Sequence, residues 1–386
     1  MLIKLLKKYL GLSLLIFFFL VLPLLANYRI PESFEMIKVL AFLGGTNVFL
    51  AILSIVLYYR ISVKKDRLLV LLAVWWLILG VSSLINGNHG ESWFGQYYRY
   101  QGLITFFGLI EFVFLVSKVD FEPTQIRKIF NISGVVNSLI IYGQYISLHW
   151  LNQPIYNFNG RMTANLGNPD FAGGFLALIA AYVSPTLWPI FFGAIWLTKS
   201  RSALIAFALI LILKIFGLFK SNKWRIGLAT VILIVLGVIF PLRAVSTFEN
   251  RLVIWQKALT AISQKPILGW GVENFSWAFQ SSLLPNDFDL KNIRVDKAHN
   301  EFLEITTAGG VLALGLYIMI WLTVVKNQWR GKSDPWRQNN LVCLGAFLIL
   351  SNLNVMSIAE YIFFYFVAGV SLRKFSYKFR NNEKPE

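Results

Sequence analysis

Long apolar runs, separated by short basic or aromatic-polar stretches, make up almost the whole chain. A run of about 20 mostly apolar residues crosses a bilayer as a helix. Such runs predict spans at 9–26, 37–59, 68–85, 101–117, 129–150, 171–187, 188–198, 202–219, 226–242, 302–325, 340–355 and 358–372. The first run resembles a signal peptide because Lys4, Lys7 and Lys8 precede it. No small-x-small cleavage site follows at Leu24-Leu25-Ala26-Asn27, so it is expected to stay as a helix. The seventh run is short and has Pro185 and Pro189 at its start, which predicts a broken or tilted helix. The expected fold class is all-α, polytopic and membrane-embedded, with about 12 transmembrane helices and a large extracytoplasmic loop carrying amphipathic helices.

Composition agrees: 56% of the 386 residues are hydrophobic and 14% charged, against roughly 25% charged residues in soluble domains. The formal net charge of +17 would suggest nucleic acid in a soluble protein, but here the excess follows the loops. With a cytoplasmic N-terminus, the inner side receives Arg60, Lys64, Lys65 and Arg67, then Lys118, Arg127 and Lys128. Further on come Lys220, Lys223 and Arg225, then Lys326, Arg330, Lys332 and Arg337, and a basic tail from Arg373. That is the positive-inside pattern, with both ends cytoplasmic. The charge therefore signals orientation, and no nucleic-acid partner is implied. The expected organisation is helices 1–5 in residues 1–160, a core in 161–325 that includes the outer loop 243–301, and final helices with the tail in 326–386.

The long outer loop has its own order. Ser246-Thr247-Phe248-Glu249 reads as a capping box, and Leu252, Trp255, Leu259 and Ile262 recur at helical spacing. This predicts an amphipathic helix at the membrane interface. It stops at Lys265-Pro266, and Gly269-Trp270-Gly271 turns the chain into a second aromatic segment, Phe275 to Phe279.

Three constellations on the outer side can carry chemistry. His299, in Ala298-His299-Asn300-Glu301, can accept a proton as a neutral imidazole; a histidine bonded to a loop carbonyl is the competing reading. Arg99, Arg161, Arg201 and Arg251 are costly near a membrane unless solvated or paired, and several facing one vestibule suit an anion that Arg grips bidentately. Snorkelling, or pairing with Glu249 and Asp170, is their alternative. Third, Asn165-Leu166-Gly167-Asn168-Pro169-Asp170 opens the sixth span, where backbone amides can bind an anion or glycines can simply allow close packing. The single cysteine, Cys343, rules out an internal disulfide and any Cys-based cluster. No Asp-x-Asp, metal-spaced His/carboxylate, phosphate loop or nucleophile elbow occurs, so neither metal nor cofactor is expected.

Taken in order, these motifs resemble the O-antigen ligase and polymerase superfamily of polytopic membrane glycosyltransferases. The matching stretches are Arg251-Leu252-Val253-Ile254-Trp255-Gln256-Lys257-Ala258, Lys265-Pro266-Ile267-Leu268-Gly269-Trp270-Gly271, and Ala298-His299-Asn300-Glu301-Phe302-Leu303-Glu304 with Gly309-Gly310 beyond. Arg161 with Gly167-Asn168-Pro169, and Ser200-Arg201-Ser202, also match. After Gly310-Val311-Leu312 the chain departs from the family pattern with Ala313.

The resemblance implies transfer of a glycan from a polyprenyl-diphosphate carrier to an acceptor hydroxyl on a lipid, glycan or protein. The reaction would lie at the outer face of the bacterial cytoplasmic membrane, among membrane lipids, in surface-polysaccharide synthesis. It implies His299, Arg251 and Arg201 as catalytic residues, with Arg161, Arg99, Asn168, Asn300 and Trp255 contacting substrate. A ligase and a polymerase differ only in the acceptor, and both stay open. A flippase or secondary transporter would also want arginines near a cavity, but should show half-repeats or midplane charges. No repeat is visible, and Glu111 is the one acid well inside a predicted span.

Overall fold

The computed structural model describes residues 2–29, 34–56, 66–153, 157–218, 245–285, 287, 290, 295–330 and 334–373; the ninth predicted span, 226–242, lies outside them. The described residues are helical, without a named strand; Phe158 and Arg161 form one isolated bridge. Helix α1 (Leu2–Leu15) continues through a wide turn, Ile16–Val21, and a tight one, Leu22–Leu24. There follow α2 (Phe34–Val56), α3 (Arg67–Asn86), α4 (His89–Phe94), α5 (Leu103–Lys118), α6 (Pro123–His149), α7 (Pro169–Ala180), α8 (Trp188–Thr198) and α9 (Arg201–Leu218). The long stretch between α9 and the next long helix holds α10 (Val245–Gln264) and α11 (Phe275–Ser281), and α12 (Glu301–Trp329), α13 (Pro335–Leu353) and α14 (Ile358–Ser371) complete the described helices.

Local chemistry sets many of the starts. Asp66 caps α3 by accepting from the Leu68 amide at 2.9 Å, and Asp334 caps α13 from the Trp336 amide at 2.9 Å. Prolines stand in the first turns of α6, α7, α8 and α13, where a missing N–H costs nothing. Among the described residues, five helical segments are by length and composition able to cross a membrane: Leu5–Leu24, Phe34–Val56, Arg67–Asn86, Pro123–His149 and Glu301–Trp329.

The most deeply enclosed helices are two short ones. Every residue of α14 is buried, and so is every residue of α7 except Asp170. Both are apolar all round, which is the composition of a helix walled in on every side. At 1.5 Å per residue, α7 spans about 18 Å and α14 about 21 Å, less than the ~30 Å of a bilayer core. The apolar run at 171–187 had suggested a full-length span; the helix stops at Ala180, and Pro185 opens a short tight turn before α8. Neighbouring helices pack around this pair: α14 against α5 and α13, and α7 against α8 and α9. Gly174 lets α7 approach α14 closely, since a Cβ there would lie 1.9 Å from Glu360 Oε1.

The tenth predicted span is not one continuous helix. Gly310, at φ 66° and ψ −168°, interrupts α12 and frees carbonyls that a helix would use internally. The turn at 266–271 takes them up. Trp270 and Gly271 donate their amides to the Thr307 and Ala308 carbonyls at 2.7 and 2.9 Å, and the Val311 amide donates to the Pro266 carbonyl at 2.9 Å. Ser82 of α3 donates to the Ala308 carbonyl at 2.6 Å and also to that of Leu268. Gly269 and Gly271 make the turn with φ of +69° and +90°. Two stretches noted separately in the sequence, 265–271 and 309–310, are thus one joint.

Helix α10 is already running at Val245, one residue before the Ser246 expected as its cap; the side chains of that capping box lie outside those described. Its inward face carries Ile254 and Ala258, packed with Phe275, Phe279, Val295 and Ala298. Leu252 and Leu259, from the predicted apolar stripe, instead point out of the protein, 47% and 59% exposed. Ile267 and Trp277 nearby are exposed as well.

Candidate functional site

The site forms where the recessed starts of α7 and α14 meet the starts of α9, α10 and α12. His299 precedes α12 in a left-handed conformation, φ 53°, which histidine adopts more readily than most residues. The residues before it are pinned in turn. Arg99 holds Asp296 through Nε and Nη2, both at 2.7 Å. Lys297, fully enclosed, pairs with Glu273 and, at 3.3 Å, with Glu304. The Ala298 amide donates to Glu304 Oε2 at 2.8 Å, while the Ala298 carbonyl accepts from Trp255 Nε1 at 3.0 Å. Asn300 then caps α12 by accepting from the Leu303 amide at 3.1 Å. The imidazole is left facing a cavity, and among the described residues no group hydrogen-bonds its ring.

Electrostatics keep this ring neutral. Burial first, then the Arg251 guanidinium and more weakly Arg99, push its pKa down to about 4, against the opposing pull of Asp296 and Asp170. The same loop holds Asp296 below the ordinary carboxylate range. Burial alone would raise it, but Arg99, Lys297 and the Tyr98 hydroxyl together outweigh that.

Arg251, in the second turn of α10, donates through Nη2 to Asn354 Oδ1 at 3.3 Å. Asn354 ends α13 and donates in turn to Ser202 in the first turn of α9. Arg251 also senses Asp170 and Arg201, which places the first turns of α7 and α9 within electrostatic reach of the second turn of α10. Arg161 bonds Asp170 at 2.8 Å and the Thr198 carbonyl at 2.9 Å. Pairing with Asp170, offered by the sequence as an alternative, is therefore what Arg161 does; Asp170 is largely spoken for, and Arg251's described hydrogen bond goes to a neutral amide. Asn168 caps α7 through the Asp170 amide at 2.8 Å.

The structure thus brings His299, Arg251, Arg201, Arg161 and Asn300 to one end of the bundle. Arg99, Asn168 and Trp255 sit beside it, bonded to Asp296, the α7 start and the Ala298 carbonyl. Sequence reasoning missed Asn354, Ser202, Glu301 and Tyr361. Ser202 and Glu301 lie inside the quoted stretches without a role assigned to them, and the trace of the other two is slight. Asn354 belongs to Ser351-Asn352-Leu353-Asn354, a polar gap between two apolar runs, and Tyr361 lies in the last apolar run itself. Among the described residues no three His, Cys, Asp or Glu side chains are grouped to hold a metal.

Residues 187–318 match the family described as O-Antigen ligase. The match runs from the turn before α8 through the joint at Gly310, and includes Arg201, Arg251, Trp255, His299 and Asn300. No curated protein matches the chain.

Proposed function

We propose that this chain, a member of the O-antigen ligase superfamily, transfers a glycan from a polyprenyl-diphosphate carrier to an acceptor hydroxyl at the outer face of the cytoplasmic membrane. The observation that carries this reading is the convergence of Arg251, Arg201 and a neutral His299 from three separate helix starts. In the proposed step the acceptor oxygen bonds to the anomeric carbon as that carbon's bond to the diphosphate breaks. The bonding pair leaves with the diphosphate oxygen, and the acceptor proton passes to a ring nitrogen of His299. Attack opposite the leaving group inverts the sugar carbon. A diphosphate needs no protonation to leave, so cations aimed at its developing charge and one base suffice.

The carrier also tunes the base. Arg251 helps hold His299 in its neutral form, and an anion bound at Arg251 cancels that field and makes the imidazole more basic. The acid limb of kcat/KM, which reports the free protein, is therefore expected near pH 4 rather than near the ordinary histidine value. Activity falls as pH drops through that limb and the base becomes protonated, and the kcat limb, which reports the donor complex, lies higher. Rates measured across pH 3.5–8, at limiting and saturating donor, check both. Coincident limbs near 6.5 would remove the coupling.

The test of the function is transfer by purified protein from a lipid-diphosphate-linked sugar to a panel of acceptors, with chelator present. Product that forms equally well with chelator is expected; no product from any lipid-diphosphate donor would sink the reading. Arg251→Lys separates a bidentate clamp from a simple charge. A clamp predicts a loss of kcat/KM for donor of about 100-fold, whereas a point charge predicts a loss of only a few-fold.

A further inference from the structure

The loop between α4 and α5 presents Arg99 to the stretch that carries His299. Its two ends are pinched together: a Cβ on Gly102 would stand 2.4 Å from the Gly95 nitrogen and 2.5 Å from the Trp93 carbonyl oxygen. Within the loop the Arg99 and Tyr100 amides both donate to the Gln96 carbonyl, at 2.9 and 2.8 Å. Arg99 Nε and Nη2 both meet Asp296 Oδ2 at 2.7 Å, and the Tyr98 hydroxyl donates to the same oxygen at 3.0 Å. The guanidinium also lies 5.5 Å from the centre of the Tyr98 ring. Its Nε–Nη2 edge, a paired edge of the kind that grips a diphosphate, is therefore spent on Asp296. The loop reaches a second support as well. Gln96 donates through its backbone amide to Glu273 Oε2 and through its side chain to the Glu273 carbonyl, both at 3.4 Å, and Glu273 pairs with Lys297.

We propose that Arg99 is a positioning residue: through Asp296 it anchors the segment that carries His299 and masks the Asp296 charge from the imidazole, and it touches neither donor nor acceptor. The inference rests on His299 serving as the base of the transfer proposed above, and it replaces the substrate contact that the resemblance implies for Arg99. Asp296 on its own favours the imidazolium and Arg99 opposes it, so the bonded pair leaves the ring to burial and to Arg251. Beside an unmasked carboxylate the ring would hold a proton at higher pH, and a protonated ring cannot take one from the acceptor. Asp170 from α7 also bears on the ring, and Lys297, Glu301, Glu304 and Tyr361 line the adjoining cavity with it. All of these stay the same in the comparison that tests Arg99.

The experiment compares wild type, Arg99→Met, Arg99→Lys and a double variant that joins Arg99→Met to Asp296→Asn, with a short-chain lipid-diphosphate-linked sugar as donor. Arg99→Met is expected to lower kcat by about 10- to 100-fold and leave KM for donor and acceptor unchanged. It should also move the His299 titration up by about one pH unit. Adding Asp296→Asn brings the titration back while kcat stays low, because the mask is no longer needed and the anchor is still missing. Arg99→Lys keeps the charge without the two-bonded grip, so its titration stays with wild type and its kcat falls less. The titration is read without turnover, by NMR of histidine-labelled protein in detergent with no substrate, His299→Asn identifying the signal. A donor KM that rises with Arg99→Met makes Arg99 a substrate contact, and a titration unmoved by Arg99→Met removes the mask; either result overturns the proposal. Failure of the transfer reading looks different. Wild type then makes no product from any donor, while a titration that still follows Arg99 and Asp296 keeps the mask. If Arg99→Met is not recovered folded, Asp296→Asn alone decides. It leaves the Arg99 cation unopposed, so the titration is expected to fall below that of wild type, and one that rises or stays in place overturns the proposal.

Discussion

Replacing His299 with asparagine is expected to slow glycan transfer by about 10²- to 10⁴-fold, the range over which a positioned general base contributes. Asparagine is the informative replacement because it tolerates the left-handed backbone that His299 adopts. The chain can then keep its path through Ala298 and Asn300 while losing the proton acceptor. The bonds holding that path belong to its neighbours: Arg99 to Asp296, Lys297 to Glu273, Trp255 to the Ala298 carbonyl, and Asn300 to the start of α12. Donor affinity, assigned to Arg251 and Arg201, should accordingly change by no more than a few-fold. Single-turnover rates with saturating donor, set beside donor binding, measure the two separately. A His299→Asn protein that elongates or transfers glycan at the wild-type rate places the base elsewhere.

Gly310→Ala is expected to be the most damaging small substitution in the described chain, lowering stability by about 2 kcal/mol or more. The φ 66°, ψ −168° conformation is one that essentially only glycine occupies. A Cβ there would also stand 2.1 Å from the Ile267 carbonyl oxygen and 2.7 Å from the Leu268 nitrogen. Backbone rather than a flexible side chain is in the way, so relief requires moving the 266–271 turn and breaking its bonds to Thr307 and Ala308. Gly315→Ala is the matched control, in regular helix with nothing near its added methyl. Ala is the better helix former by about 1 kcal/mol, so that variant should be neutral or slightly more stable. Thermal unfolding in detergent, followed by tryptophan fluorescence, compares the two. Equal melting temperatures would mean that the joint bears no strain.

Most helices were legible because an apolar run is a one-dimensional signal. The predicted spans at 68–85 and 358–372 agree with α3 and α14 to within a residue. The short α7 was not, since the run at 171–187 looks continuous until Pro185 and the helix gives way before it. The outward turn of Leu252 and Leu259 was hidden for a different reason: periodicity finds an apolar stripe but cannot say whether protein or something else covers it. At the site, His299, Arg251 and Arg201 stood out as costly residues in an apolar chain. Glu301, Tyr361 and Asn354 did not, because their significance lies in partners on other helices, and no local pattern encodes the Tyr361–Glu301 bond. The docking of 266–271 onto the break at Gly310 is likewise a tertiary fact. Its glycines are visible in the sequence, but the carbonyls they serve lie about forty residues away.

The interruption of α12 at Gly310 also resets rotational phase. In an unbroken helix each residue advances about 100°, so the direction in which Glu301 and Glu304 point would be dictated by whichever faces Tyr317 and Trp321 must bury below. With the ladder cut and the upper segment clamped to the 266–271 turn and Ser82, those two requirements are independent. The lower segment, residues 311–329, is about 28 Å long and packs Tyr317 on Trp75 and Trp321 on Phe347 and Phe364. The two segments still meet through the Phe302 and Tyr317 rings, so the joint sets their relative phase while side-chain packing keeps them in register.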